Sequence, residues 1–167
     1  TANTYVYFNY NVNDELVSSS TNKATLVAGR VVIGLRVSFS NYSGWEGDER
    51  IQNTIVWRAN GNTKSYTVYK YTNFILERST TYSDLFLTKT KSITFYKGAE
   101  SEEKANVTLN YNSTGLAVKT STVFGYDVDD EILKTSVTYK NEVKLDANNV
   151  AVMAANNTRK SSSWYTG

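Results

Sequence analysis

Apolar residues recur at every second position over most of this chain, a period that places them on one face of a strand and scatters them around a helix. The strongest run is Val31, Ile33, Leu35, Val37 and Phe39, with Val32, Gly34, Arg36 and Ser38 on the opposite face. Thr4, Val6, Phe8, Tyr10 and Val12 alternate in the same way. Further runs cover 51–57, 66–76, 85–87, 93–95, 105–111, 116–124, 132–139 and 143–145, dense in the Val, Ile, Thr, Tyr and Phe that suit a pleated surface.

Turn chemistry punctuates these runs. Asn60-Gly61 is the pair favoured in a two-residue hairpin. Asn112-Ser113-Thr114-Gly115 reads as a longer hairpin loop, 97–103 as a charged connection and 127–131 as an acidic turn. Only 146–156, where Ala recurs beside Met153, suggests a helical turn. About nine to eleven short strands with regular turns predict an all-β fold, an antiparallel β-sandwich or jelly roll with little or no helix. Ile33, Leu35, Val37 and Phe39 are expected to face inward on a central strand. No linker, repeat or composition shift is apparent, so 1–167 reads as a single domain.

Absences bound the chemistry. The 167 residues include no Cys, no His and no Pro. Without Cys there are no disulfides, thiol nucleophiles or thiolate metal sites. Without His the usual general base and the commonest transition-metal ligand are missing, and a Ser-His-Asp triad cannot form within the chain. The net charge of +2 is dispersed, with Arg159-Lys160 the densest basic spot, so no nucleic-acid-binding stripe is indicated. No apolar run is long enough for a transmembrane helix or a retained signal peptide. Thr1 fits either a removed initiator Met or a cleaved export signal. The glycines match neither a dinucleotide fingerprint nor a P-loop, and no cofactor is expected.

Carboxylates remain as the candidate chemical groups. Glu46, Asp48 and Glu49 form one cluster, and Asp127, Asp129, Asp130 and Glu131 another. A glycosidase needs two such groups flanking a sugar bond, but acidic turns ordinarily just face water. The second cluster opens like an EF-hand loop and then departs from it, with Ile132 at the glycine position and Thr138 at the final glutamate. Calcium binding there would need another geometry, and no metal site is assigned. Trp45, beside Glu46 and Asp48, would suit a sugar ring, with the indole stacking and the acids accepting hydroxyl hydrogen bonds. The competing expectation is that Trp45 caps the core. N-glycosylation sequons stand at Asn41, Asn106, Asn112 and Asn156, about as many as a chain this rich in Asn, Ser and Thr contains by chance.

Two segments bear on assembly. Residues 4–12 form an alternating strand that either begins the domain or is donated to a neighbouring subunit, with Val6, Phe8, Tyr10 and Val12 as contacts. Trp164 and Tyr165 follow a serine run and are expected to dock on their own domain or on another subunit. The leading expectation is therefore a non-enzymatic structural subunit, a homo-oligomer or filament, in a pilus-like thread or virion, located extracellularly or on a virion surface. A lectin or carbohydrate-binding module using Trp45, Glu46 and Asp48 comes second. A secreted pore-forming protein, using an amphipathic hairpin such as 63–76, comes third.

Overall fold

A computed structural model describes residues 3–127, 132–147 and 150–166. It shows an all-β chain, with no helix among these residues. The strands are β1 Asn3–Tyr10, β2 Leu16–Val27, β3 Arg30–Ser43, β4 Arg50–Trp57, β5 Thr63–Thr72, β6 Ile75–Tyr82, β7 Thr90–Lys97, β8 Lys104–Tyr111, β9 Val118–Tyr126, β10 Leu133–Lys140, β11 Lys144–Leu145, β12 Ala151–Val152 and β13 Arg159–Trp164. Eleven of them hydrogen-bond in one antiparallel sheet, in the order β1 through β10 and then β13; β11 and β12 form a separate ribbon. Among the described residues, β1 and β13 each pair with a strand of this sheet on one side only. The chain forms two compact units, Thr1–Tyr69 with Tyr82–Leu87, and Lys70–Thr81 with Thr88–Gly167.

In the first unit β2 and β3 run together well past the strands on either side of them. β3 pairs with β4 only from Ser38 onward, and β1 reaches along β2 only to Ala24. Residues 25–35 are thus a two-stranded arm, with Ile33 41% and Leu35 61% exposed, while Val37 and Phe39 are half-buried. This corrects the expected core: the alternating pattern marks a strand correctly but does not say how far its partners extend.

The core lies instead in the second unit. Val107 (0% exposed) and Leu109 sit on β8, and Val143 is buried beside them. Register places Phe95, Val107, Val123 and Val137 level on one face. Ser121 clips the chain onto that face: its hydroxyl donates to the Asn141 carbonyl at 2.7 Å and accepts from the Val143 amide at 2.9 Å. Among the described residues of 146–156 the expected helical turn does not form. Ala151–Val152 pairs with β11, and the Asp146 carboxylate accepts the Val150 amide at 2.8 Å, so a turn-forming aspartate outweighs the helix propensity of the alanines.

Comparison of local geometry reveals a repeat that the sequence did not advertise. Ser19 meets the Tyr42 hydroxyl at 3.1 Å, Ser79 meets Tyr96 at 3.1 Å, and Ser136 meets Tyr165 at 3.2 Å. Each tyrosine opens a Tyr-x-Gly triplet, 42–44, 96–98 and 165–167. The register shifts after Asn41 and after Phe95 where β3 and β7 meet their next strands, and again before Trp57 and before Tyr111. Gly61 and Gly115 take positive φ in equivalent turns, and their amides donate to Arg58 and Asn112 at 2.9 and 3.0 Å. Hence β2–β5 and β6–β9 are two copies of one four-stranded motif, and β10 with β13 corresponds to its first two strands. β1 corresponds to the fourth strand: Phe8 and Tyr10 match Phe124 and Tyr126, and Phe8 lies opposite Ser19 as Phe124 lies opposite Ser136.

Truncation separates the observed core from the expected one. Leu109→Ala should cost about 2–5 kcal/mol in urea unfolding. Leu35→Ala should stay within about 0.5 kcal/mol, as for a surface position. The reverse order would place the core back on β3.

Candidate functional site

The turn at 44–49 is built by its glycines and its last glutamate. Gly44 has φ +138°, and a Cβ there would meet the Asp48 carbonyl oxygen at 2.5 Å, so only glycine fits. Gly47 also takes positive φ, and the Asp48 amide closes the loop on the Trp45 carbonyl at 2.9 Å. The Glu49 carboxylate then fastens the turn to the neighbouring strand, accepting the Leu16 amide at 2.8 Å and the Gly47 amide at 3.0 Å. Arg50 donates to the Asp48 carbonyl at 3.1 Å. The Leu16 amide is the largest cause holding the Glu49 carboxyl below its ordinary range, and the turn's own amides assist.

Trp45 projects from this frame 77% exposed, which corrects the expectation that it caps a core. Glu46 and Asp48 are exposed beside it. The second copy of the turn, 98–103, isolates what Trp45 contributes. Gly98 again has no room for a Cβ, Ser101 takes the positive φ of Gly47, and the Glu103 carboxylate accepts the Leu76 amide at 2.9 Å. Ala99 stands where Trp45 stands. The turn therefore holds without an indole. Glu49 and Glu103 are the residues whose structural part sequence reasoning missed; the recurring Gly-x-Glu-x-acid-Glu pattern was the available signal.

The remaining candidates are dispersed. The Asn41 side chain, within β3, donates its amide to the side-chain oxygen of Asn53 at 2.9 Å. Asn106 is only 7% exposed on β8. Asn112 uses its side-chain oxygen to accept from Thr114 and the Leu116 amide, which holds the hairpin turn. Asn156 is exposed in a turn. Asp127 accepts the Ile132 amide at 3.3 Å, whereas Asp129, Asp130 and Glu131 lie outside the described residues. Among the described residues no three His, Cys, Asp or Glu side chains are arranged to hold a metal ion. A hollow in the second unit is lined by Phe95, Leu109, Val143 and Leu145, with Glu142, Lys144 and Asp146 also contributing.

The segments expected to mediate contacts are exposed. β1 pairs with β2 of its own chain along its whole length, from Asn3 opposite Ala24 to Tyr10 opposite Leu16. Its other edge carries no strand among the described residues. Val6, Phe8 and Tyr10 are exposed on it, as are Tyr5 and Tyr7, whose ring centroids lie 4.6 Å apart, and Val12 is exposed in the following turn. By register Tyr5, Tyr7, Leu26, Val31 and Ile33 share one face, and Val6, Val27 and Val32 belong to the other. Apolar side chains thus face solvent on both sides of this region. At the end of the chain Trp164 is 78% exposed on β13, while Tyr165 is tied to its own unit by Ser136 and by its amide to the Lys134 carbonyl.

No family model and no curated protein matches the chain. A solved structure described as a porin-like protein from Bacteroides uniformis aligns over 95% of this chain and 88% of that one, with 10% identity and a TM-score of 0.27. A likeness so low carries no argument about fold or function.

Because the Glu49 pKa is depressed, its contact stabilises the turn above the ordinary glutamate pKa, and the effect fades as pH falls through the lower folded value. Hydrogen exchange at the Leu16 amide should accelerate in that acid window after correction for intrinsic rates. A Glu49→Ala variant should show the faster exchange already at neutral pH. Unchanged exchange in the variant would remove Glu49 from this part.

Proposed function

We propose that the chain is a non-enzymatic structural subunit that assembles with copies of itself through β-strand contacts, as a component of an extracellular filament, thread or shell. The observation that carries this reading is the exposed apolar surface on both faces of β1 and the arm at 25–35, next to a sheet edge that carries no strand among the described residues. A sheet region that faces water ordinarily keeps one face polar. An open edge with apolar flanks invites uncontrolled pairing unless another chain covers it. The sandwich expected from the strand spacing enters here as part of the proposal: a neighbouring copy supplies the second layer over this region. Each apolar side chain so covered contributes roughly 1.5–3 kcal/mol.

Deleting residues 1–12 tests the reading. The full chain should form oligomers in light scattering and visible assemblies in electron microscopy, and the truncated chain should not. A synthetic 4–12 peptide should compete with assembly. A full-length chain that stays monomeric at high concentration, with the β1 amides protected from exchange, overturns it.

One observation favours glycan binding as a second reading: Trp45 is exposed on a turn that its second copy builds equally well with Ala99. Trp45→Ala should leave unfolding within about 0.5 kcal/mol of the parent and abolish any signal on a glycan array. An array that stays silent with the parent protein sets this reading aside.

A further inference from the structure

We propose that the first unit also meets a second copy of the chain end to end, with Arg30 at the tip of the 25–35 arm seated on the Trp45 indole beside the Glu46 and Asp48 carboxylates of the next copy. This rests on the self-assembly reading and adds to the β1 edge a contact at the ends of the strands.

Strand direction separates the charges of this unit. Antiparallel pairing puts the β1–β2 and β3–β4 turns at one end, and the β2–β3 joint and the β4–β5 turn at the other. The first end carries Asp14, Glu15, Glu46, Asp48 and Glu49, against a single base, Arg50. The other end, with its arm, carries Lys23, Arg30, Arg36, Arg58 and Lys64, every one of them exposed. The unit's remaining acid, Asp84, lies in the β6–β7 loop. Two ends of opposite sign on one body are complementary to each other in different copies. Because the two surfaces differ, such a contact repeats from copy to copy instead of pairing two copies and stopping.

Arg30 is the base that reaches furthest. It pairs with Val27 at the tip of the arm, beside Gly29 with its positive φ. At about 3.3 Å per residue the tip stands roughly 15–20 Å past Arg36. Its side chain is exposed and forms no ion pair among the described residues. Arg36 shows the seat an arginine takes in this chain: its guanidinium lies over the Phe39 ring at 5.2 Å and the Trp57 ring at 5.9 Å.

The 44–49 turn offers the same kind of seat with charge added. Trp45 is 77% exposed, and Glu46 and Asp48 are exposed beside it. A guanidinium stacks on an indole face while its planar fork donates to a carboxylate, a combination that suits arginine better than lysine. The turn spends none of these three side chains on its own hold. Glu49 ties it to Leu16, and the second unit builds the same turn with Ala99 in place of the indole. That second turn keeps acids at Glu100 and Glu102 but lacks the ring, so the complete seat belongs to the first unit. A neutral sugar would use the indole and leave the opposite charges of the two ends without a part.

The test exchanges charge between two variants of the full chain and follows assembly by light scattering. Arg30→Glu should raise the concentration needed for assembly at least about tenfold, and Glu46→Arg combined with Asp48→Arg should do the same. Mixed in equal amounts, the two variants should recover assembly, because each then meets its complement at both ends. Trp45→Ala, which the second copy of the turn shows to be compatible with its fold, should also weaken assembly and keeps the test decisive if a charge variant misfolds. Assembly that is unchanged in the single variants, or a mixture no better than its components, overturns this contact while leaving the β1 edge standing. A parent chain that stays monomeric at high concentration overturns both.

Discussion

Side-chain hydrogen bonds between neighbouring strands set the level at which this sheet is assembled. Strand pairing through the backbone is indifferent to which residues face each other, and a slip by one position exchanges the two faces. Here Ser40 with Thr54, Thr94 with Thr108 and Thr122 with Thr138 stand opposite one another at 2.9 to 3.0 Å, while serine–tyrosine bonds recur two residues further along the chain. In the second unit the row continues from Thr94 through Thr108, Thr122 and Thr138 to Ser161. Few large apolar side chains are fully buried. Hydroxyl pairs therefore carry much of the specification that a thick core would otherwise provide, each contributing on the order of 0.2–1 kcal/mol relative to alanine.

Much of this was legible from residue order. The period of two marked the strands, and 112–115 sits in a hairpin turn as its chemistry implies. Asn60-Gly61 also lies in a hairpin turn, but only Gly61 takes positive φ and the closing bonds run from Arg58 to Asn62, so the loop is longer than the two-residue turn that pair favours. The run from Val31 to Phe39 misled because alternation records what a strand is, not whether another strand lies beside it. Ile33 is as apolar as Leu109, yet one sits on an arm and the other is buried, lining a hollow together with Val143. The repeat stayed hidden because its fixed points are few and unevenly spaced. The serine and its tyrosine are separated by 23, 17 and 29 positions in the three copies, so no single period aligns them. The candidate turn was half legible: Trp45, Glu46 and Asp48 are solvent-facing, but the glutamate that holds the turn was the less conspicuous Glu49.

The acidic turns acquire a physical account once the repeat is recognised. Glu49 and Glu103 each spend one carboxylate oxygen on an amide at the start of the next strand inward, Leu16 or Leu76. That bond satisfies a backbone donor and joins two connections of the sheet. Asp48 serves the turn through its backbone, closing it on Trp45, whereas the Glu46 and Asp48 carboxylates are not what ties it to the next strand, and Trp45 gives way to alanine in the second copy.

The unequal spacing between serine and tyrosine has a consequence for how such a chain can change. The bonds that fix each copy lie toward the glycine-turn end of its first two strands, so the opposite joint can lengthen or shorten without disturbing them. It does so in all three copies: a projecting arm around Ala28-Gly29, a loop between β6 and β7 that exposes Leu85, Phe86 and Leu87, and, between β10 and β13, a segment that carries the β11–β12 ribbon and the buried Val143. Mutational drift is cheap at that joint and costly at the turns, so lineages of this motif should diverge by insertion there while their hydroxyl rungs stay fixed.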